Sequence, residues 1–266
     1  MCNEMAILVC SCDKYEDVWN PMFEMFYKFW NDCAYQVYLL TNNKVYEHDR
    51  VITISTGDDV SWSKSFRKAL ETIKEEYVLI IMEDYILKSK VRNSDFETAL
   101  SYMKDNKVDY FRIFPAPRPT IKCGTCGDFN IGIIEKNAPY RVSLQAAVWN
   151  REYALSIIDD KDSAWQFEYL GSKRSSNDNS KFISVWDKTP RLMLDYYCTG
   201  VIQGYWIKEA VKLCEANGVS VDTTRIPIEP FGVHFKRVFS IRFLGPIKNV
   251  IKKTKLYDRY RAKKYA

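Results

Sequence analysis

The feature that most constrains this chain is a fully apolar segment, Tyr77–Met82, which is followed directly by two acids, Glu83 and Asp84. An apolar run of this length between polar residues is typical of a parallel strand buried on both faces. In open α/β sheets, ligands bind at the carboxyl ends of such strands. The segment therefore predicts a central strand whose end presents two carboxyl groups to a binding site.

Apolar segments and amphipathic helices alternate on both sides of this strand along the chain. Short apolar segments predict four more strands, at residues 5–10, 36–40, 51–54 and 109–113. Apolar residues spaced three and four apart predict helices at residues 17–30, 62–76 and 94–104. This alternation predicts an α/β protein with a mostly parallel sheet.

The pattern changes after residue 113. Prolines, glycines and an alternating segment at residues 140–149 predict loops and antiparallel strands added to the sheet. The remaining predictions are a helix at 152–158, a strand at 192–201 and a helix at 206–217. The polar residues 172–181 predict a loop, either a mobile one over the site or an ordinary surface loop.

Charge is distributed unevenly along the chain, whose net charge is +5. Residues 236–266 hold eleven Lys or Arg and a single acid, Asp258, so the rest of the chain is acidic. This asymmetry is typical of an acidic enzyme with a basic tail, and it argues against nucleic acid as a partner. The tail also contains apolar residues, a pattern typical of a basic amphipathic helix that can lie on anionic membranes. The alternative is a solvated, frayed terminus.

No apolar run is long enough to cross a membrane, and the first residues lack the pattern of a signal peptide. The sequence therefore predicts a cytoplasmic protein. Binding of the tail to anionic lipid would place it peripherally at the inner face of the cell membrane.

Four short motifs follow one another in the chain: Ser11-Cys-Asp-Lys-Tyr15 with Trp19, Ser61-Trp62-Ser63, the segment 79–87, and Trp165-Gln-Phe-Glu168 before Gly171-Ser172. In this combination, residues 5–210 resemble bacterial glycosyltransferases of capsule and surface-polysaccharide gene clusters. The resemblance implies a GT-A-like (Rossmann-like) domain at residues 1–235 and a basic helical C-terminal tail at 236–266. The donor half would span about 1–115 and the acceptor half about 116–235.

The resemblance also implies roles for the acids. Glu83 and Asp84 match the place of the family's DXD motif, which holds Mn²⁺ or Mg²⁺ against a diphosphate, although here the acids are adjacent. Glu168 matches the glutamate of a Trp-x-x-Glu stretch, which implies a catalytic base for transfer with inversion. Trp165 would then stack on the acceptor. The alternatives are a solvated strand end for the acid pair and, for the Trp-x-x-Glu stretch, an amphipathic turn with Trp165 in the core and Glu168 in water.

Further polar and aromatic residues are weaker candidates for substrate binding, and an ordinary loop or surface role is the alternative for each. Asp13 and Asn42 follow the first two strands and are expected to bind the nucleobase or ribose. Lys64 and Arg67 are expected to meet phosphate, beside Trp62 in the substrate site. His234, towards the C-terminal end of the chain, is expected to contact phosphate or a metal ion.

Together these features predict a glycosyltransferase that moves a sugar from a nucleotide-diphosphate donor to a glycan or a lipid-linked glycan. Two alternatives remain open. One is a nucleotidyltransferase on a similar sheet, although such enzymes usually carry a Gly-rich, basic loop after the first strand, and residues 11–15 are not of that kind. The other is a non-catalytic nucleotide- or glycan-binding protein, which the adjacent acids favour.

Overall fold

A computed structural model describes residues 4–58, 60–186, 191–197 and 199–239. The strands are β1 (Met5–Cys10), β2 (Gln36–Thr41), β3 (Val51–Ser55), β4 (Tyr77–Met82), β5 (Ile86–Leu87), β6 (Tyr110–Arg112), β7 (Ile121–Cys126), β8 (Phe129–Ile133), β9 (Ala147–Asn150), β10 (Phe182–Val185), β11 (Tyr196–Tyr197), β12 (Val201–Ile202) and β13 (Tyr205–Trp206). The helices are α1 (Glu16–Phe29), α2 (Trp62–Thr72), α3 (Asn93–Asn106), α4 (Arg151–Ile157), α5 (Ala164–Ser176), α6 (Lys208–Ala216) and α7 (Phe231–Phe239).

The main sheet has nine strands in the order β3-β2-β1-β4-β9-β6-β10-β8-β7. The first four are parallel, β9 is inserted antiparallel between β4 and β6, and β6 pairs in parallel with β10. The antiparallel hairpin of β7 and β8 completes the sheet. The predicted α/β class, a GT-A-like sheet with a Rossmann-like first half and added antiparallel strands, is confirmed.

Strand β1 shows how the sheet is buried on both faces. Because side chains alternate along a strand, Met5, Ile7 and Val9 pack with α1 and α3, whereas the intervening Ala6 and Leu8 pack with α2, α4 and α5. All residues of β1 are buried. The parallel strands therefore form the middle of a three-layer structure, and their carboxyl ends are the part of the sheet that remains open to a ligand.

The elements predicted in the first 113 residues are confirmed with small shifts at their ends, the largest at α2, which ends at Thr72. Two later predictions are wrong. Residues 172–176 belong to α5 rather than to a surface loop, because a capping box starts this helix and its pattern continues to Ser176. Among the described residues of 192–201, only the short β11 and the start of β12 form strand. The loops and antiparallel strand predicted around residues 140–149 are present, with β9 covering Ala147–Asn150.

None of the helices in the described ranges is long and apolar enough to cross a membrane. The predicted tail lies outside the described residues beyond Phe239. The division into donor and acceptor halves near residue 115 stays a prediction.

Candidate active site

An open cleft of about 750 Å³ lies at the carboxyl ends of β1, β2 and β4. The first turns of α2 and α5 form its opposite side, so two helix N-termini border the cleft. Six of the residues predicted for the site line it together: Asn42, Trp62, Glu83, Asp84, Trp165 and Glu168.

The acid pair lies at the end of β4, beside the end of β1. The Glu83 backbone N–H donates to the carbonyl oxygen of Cys10 at 3.3 Å, which continues the pairing of the two strands. The Glu83 side chain is buried, and its Oε2 has no hydrogen-bond partner among the described residues. A buried polar oxygen without a partner is unusual and requires an explanation.

The neighbouring Asp84 is held more firmly. Its Oδ2 accepts the backbone N–H of Val201 at 3.3 Å, and its carbonyl oxygen accepts the N–H of Gly200 at 3.0 Å. The approach is so close that a Cβ on Gly200 would lie 2.8 Å from that carbonyl oxygen. The segment around Gly200 therefore fixes the main chain of the acid pair, and position 200 has no room for a side chain.

Burial raises the pKa of both acids above the ordinary range, because a desolvated carboxylate is less stable than the neutral acid. The negative charge of Asp84 raises the pKa of Glu83 further, whereas the N–H of Val201 partly offsets the effect at Asp84. Burial and the charge of Glu83 also raise the pKa of the half-buried Tyr15 beside them.

These properties fit a divalent cation. Mn²⁺ and Mg²⁺ prefer carboxylate oxygens, and Glu83 has a buried oxygen to which no described residue donates a hydrogen bond. A bound cation would favour the ionised form of both acids and remove the penalty that raises their pKa values. We expect the Glu83 and Asp84 carboxylates to be its ligands.

Glu168 lies across the cleft on α5, whose first turn is closed by a capping box between Ser163 and Gln166. Its Oε1 accepts the backbone N–H of Leu144 at 2.9 Å and the hydroxyl of Ser143 at 3.2 Å. The carboxylate is thus oriented by two donors.

Trp165 precedes Glu168 by one helical turn and is 68% exposed, although it is a large aromatic residue. Such an exposed ring at the rim of a cleft is suited to stack on an apolar sugar face.

On the other side of the cleft, Trp62 begins α2 and stacks on Phe66 with ring centroids 4.8 Å apart. Asn42 lines the cleft through the loop after β2, and its Oδ1 accepts the N–H of Asp13 at 3.1 Å. The Asp13 carboxylate in return accepts backbone N–H groups of residues 42–44. Asp13 therefore ties the loops after β1 and β2 together and is not among the cleft-lining residues.

Lys64 and Arg67 do not line the cleft. Lys64 is exposed on α2, whereas the Arg67 guanidinium pairs with Asp160 and donates to the Ile158 carbonyl oxygen at 2.8 Å. Arg67 thereby holds the loop between α4 and α5 against α2. Sequence spacing could not show this, because Asp160 is remote along the chain.

His234 lies on α7, also away from the cleft. Its Nδ1 is 3.0 Å from Glu229 Oε1, and Arg237 donates to both Glu229, at 2.6 Å, and Glu209, at 3.0 Å. Hydrogen bonds from Arg237 and then His234 lower the pKa of Glu229 to about 2. The two acids and His234 are close enough to hold a metal ion, but the Arg237 guanidinium already provides the positive charge there.

The predicted site residues did not include Tyr15, Gln145 and Lys161, which line the cleft. Tyr196, whose hydroxyl donates to Gln145, was not predicted either. Tyr15 belongs to the first sequence motif and could have been chosen on that ground. The others lie in segments without a motif, which only the tertiary structure brings to the cleft.

The sheet order and the position of the cleft define a GT-A-like protein of the Rossmann type. No protein-family model and no curated protein matches the chain. Among solved structures, residues 1–349 of S. aureus TarS are 12% identical, with a TM-score of 0.48, over 90% of this chain and 72% of that one. A UDP-glucose pyrophosphorylase in complex with UDP-glucose is 9% identical, with a TM-score of 0.48, over 81% of this chain and 98% of that one.

The bifunctional IspDF from Campylobacter jejuni is 13% identical, with a TM-score of 0.41, over 72% of this chain and 52% of that one. Likenesses at this level concern the course of the backbone. They assign no activity to this chain.

Proposed function

We propose that this protein is a glycosyltransferase that moves a sugar from a nucleotide-diphosphate donor to a hydroxyl group of a glycan or lipid-linked glycan, in the synthesis of a surface polysaccharide. The observation that carries the proposal is the acid pair Glu83 and Asp84, buried at the end of a central parallel strand, with one Glu83 oxygen left without a described partner. Such a pair is suited to bind a divalent cation, and the same cation can offset the charge of a diphosphate.

The charges around the cleft support a donor that carries phosphate. Two helix N-termini border it, and each contributes a partial positive charge that favours an anion. The side chains, however, are mainly acidic: the described lining residues include Glu83, Asp84 and Glu168 but a single basic residue, Lys161. An anionic ligand in such a cleft is most favourable when a divalent cation accompanies it.

The described residues divide the reaction between two sides of the cleft. Glu83 and Asp84 would hold Mn²⁺ or Mg²⁺, which would offset the negative charge that the departing diphosphate gains. Glu168, oriented by Ser143 and Leu144, accepts the proton of the acceptor hydroxyl as that oxygen attacks the anomeric carbon. Attack from the face opposite the diphosphate inverts the anomeric configuration, and Trp165 holds the acceptor ring.

The nucleotidyltransferase alternative receives less support from the loop after β1. In this loop a short 3₁₀ turn, Asp13–Tyr15, places the Asp13 carboxylate on backbone N–H groups of the next loop. Its one basic residue, Lys14, is exposed and does not line the cleft. A loop built in this way offers no basic side chain to a triphosphate.

The deciding experiment is a panel of UDP, GDP and CMP sugars, each tested with and without Mn²⁺, in which unfolding temperature and released product are both measured. A glycosyltransferase is stabilised by one donor in a metal-dependent manner and releases the nucleoside diphosphate, or CMP from a CMP sugar. A ligand at 100 times its Kd stabilises by about 2.7 kcal/mol. Release of pyrophosphate from a nucleoside triphosphate and a sugar phosphate would instead indicate a nucleotidyltransferase.

A non-catalytic binding protein would be stabilised without any product.

The matched variant is Asp84→Asn, which keeps the size of the side chain and removes the charge. It should lose the metal-dependent part of the stabilisation and reduce turnover at least 100-fold, because a charged metal ligand is replaced by a neutral amide. Unchanged turnover by this variant would contradict the assignment of the donor site.

A further inference from the structure

The short segment 143–146 connects the two sides of the cleft. The N–H of Leu144 donates a hydrogen bond to Glu168, and the carbonyl oxygen of Leu144 accepts one from the Tyr85 hydroxyl at 3.0 Å. Tyr85 directly follows the acid pair in the chain. The following strand β9 begins at Ala147, which pairs with Ile80 of β4. Gln145 therefore lies two residues before β9, near the end of β4, and lines the same cleft as the acid pair and Glu168.

The Gln145 amide has a defined direction because of Tyr196. The backbone N–H of Ala146 donates to the Tyr196 hydroxyl oxygen at 3.1 Å, so that this oxygen is already an acceptor. The Tyr196 hydroxyl in turn donates to Gln145 Oε1 at 2.8 Å. Since the carbonyl end of the amide faces Tyr196, the NH₂ end is the part left for a ligand.

Tyr196 itself has little freedom to move. It is 1% exposed and stacks on Tyr85, with ring centroids 4.5 Å apart and an angle of 20° between the rings. Phe114 packs against it with a centroid distance of 4.6 Å. A side chain held in this way keeps its hydroxyl in place, and this preorganises the amide of Gln145 before any ligand binds.

We propose that Gln145 donates a hydrogen bond from its Nε2 to the sugar of the nucleotide-sugar donor, and that Tyr196 is the positioning residue that fixes the direction of this donor group. The inference rests on the function proposed above and deepens it. An amide NH₂ is a neutral donor in a cleft whose charged groups are mostly carboxylates, which can only accept when ionised. It is therefore suited to an uncharged acceptor oxygen of the sugar, a hydroxyl or an acyl carbonyl.

A diphosphate oxygen is the other acceptor that could lie within reach, and binding assays can distinguish the two. Gln145→Ala should raise the KM for the nucleotide sugar by about 5- to 20-fold, the effect of losing one hydrogen bond to a ligand. The affinity for the nucleoside diphosphate alone should change less than about twofold. An equal loss of affinity for the nucleoside diphosphate would overturn the assignment to the sugar, and an unchanged KM would overturn the contact altogether.

A second variant, Gln145→Glu, keeps an oxygen to accept the Tyr196 hydroxyl but replaces the NH₂ donor with an acceptor. We expect it to raise the KM for the nucleotide sugar at least as much as Gln145→Ala, since the bond to Tyr196 is retained, the donor is lost and a negative charge is added to an acidic cleft. A KM equal to that of the wild type would show that the NH₂ group is not used.

The positioning role of Tyr196 is tested by a double-mutant cycle. Tyr196→Phe should raise the KM for the nucleotide sugar about 3- to 10-fold in the wild-type background and leave it unchanged in the Gln145→Ala background. Tyr85→Phe is the matched control, because it removes the other hydroxyl of the same stacked pair, and its effect should be equal in both backgrounds. Additive effects of Tyr196→Phe and Gln145→Ala would overturn the positioning role.

These outcomes separate the inference from the function on which it rests. If the wild-type protein turns over a nucleotide sugar and Gln145→Ala leaves its KM unchanged, the inference fails and the glycosyltransferase function stands. If the wild-type protein neither binds nor turns over any nucleotide sugar of the panel, both fail.

Discussion

At the scale of single residues, the acid pair couples ligand binding to stability. Glu83 is 7% exposed, and burial raises the pKa of both Glu83 and Asp84. In the folded protein these groups therefore bind protons more tightly than in the unfolded chain, where a carboxyl group has a pKa of about 4. Free energy of unfolding falls with rising pH wherever the folded state holds more protons.

We therefore predict that the wild-type protein loses stability, relative to a Glu83→Gln/Asp84→Asn double variant, as pH rises from about 4 towards the higher pKa values of the folded pair. The loss is at most about 1.4 kcal/mol per pH unit for each proton released. Urea unfolding of both proteins across this range measures it. Saturating Mn²⁺ at neutral pH should recover the loss in the wild type only.

The control is Glu135→Gln, since Glu135 is an exposed carboxylate outside the cleft. Its stability profile should follow that of the wild type. Parallel profiles for the wild type and the double variant would mean that burial of the acid pair does not destabilise the fold.

Glu168 gives a second prediction at this scale. Glu168→Gln retains an oxygen for the donors on Ser143 and Leu144 but cannot take up a proton. We expect kcat to fall by about 10²- to 10⁴-fold with donor affinity nearly unchanged. Steady-state kinetics together with donor titration separate the two quantities.

Trp165→Ala is the comparison for this variant, because it removes an exposed ring one turn away on α5 and leaves the carboxylate in place. It should raise the KM for the acceptor more than it lowers kcat. A Glu168→Gln enzyme with the kcat of the wild type would exclude Glu168 as the base.

At the scale of secondary-structure elements, α5 matters most for the candidate site because it carries both Trp165 and Glu168. Its capping box consists of the Ser163 hydroxyl, which accepts the N–H of Gln166 at 3.3 Å, and the Gln166 side chain, which accepts the N–H of Ser163 at 2.9 Å. Ser163→Ala should lower the free energy of unfolding by about 1 kcal/mol, whereas Ser163→Asp, a good N-cap, should change it less. Urea titration of the three proteins tests this, and equal stability of the two variants would argue against the cap.

The same scale shows what the sequence could and could not predict. The apolar segment was sufficient to predict β4, and the periodic pattern was sufficient to predict α1. Burial of a strand on both faces, or of a helix on one face, leaves a local pattern in the sequence. Trp62, Glu83 and Glu168 were predicted from motifs, and they line one cleft. The roles of Asp13 and Arg67 depend on partners in other loops, and no local pattern specifies those pairs.

Residues 192–201 illustrate a second reason why part of the structure could not be predicted from the sequence. Their apolar and aromatic residues are typical of a strand, yet Tyr196 is used to hold Gln145 and to stack on Tyr85. Tertiary packing therefore explains the apolar character of this segment, whose described residues take part only in the two-residue pairings of β11 and β12.

At the scale of the whole molecule, the charge asymmetry predicts membrane attachment. Residues 236–266 carry a net charge of +10 against an acidic remainder. Each Lys or Arg near an anionic surface contributes about 1 kcal/mol, and salt screens the attraction. A protein shortened after residue 240 keeps Arg237, which pairs with Glu229.

We expect the shortened protein to bind anionic liposomes much more weakly at low salt and to retain its activity on a soluble acceptor. Liposome sedimentation at low and high salt, with neutral liposomes as the control, measures this. Equal sedimentation of the two proteins with anionic liposomes at low salt would contradict membrane attachment through the tail.

The insertion of β9 between β4 and β6 also constrains the order in which the molecule can form during synthesis. The parallel strands β3, β2, β1 and β4 lie within the first 82 residues and can pair as soon as these have left the ribosome. The free edge of β4 stays unpaired until β9 (Ala147–Asn150) has been synthesised, and β6 pairs with the same strand. During this interval an apolar strand edge is open to pairing with another chain. The nascent protein should therefore be most prone to aggregation between about residues 82 and 150, the stage at which chaperones would protect it most.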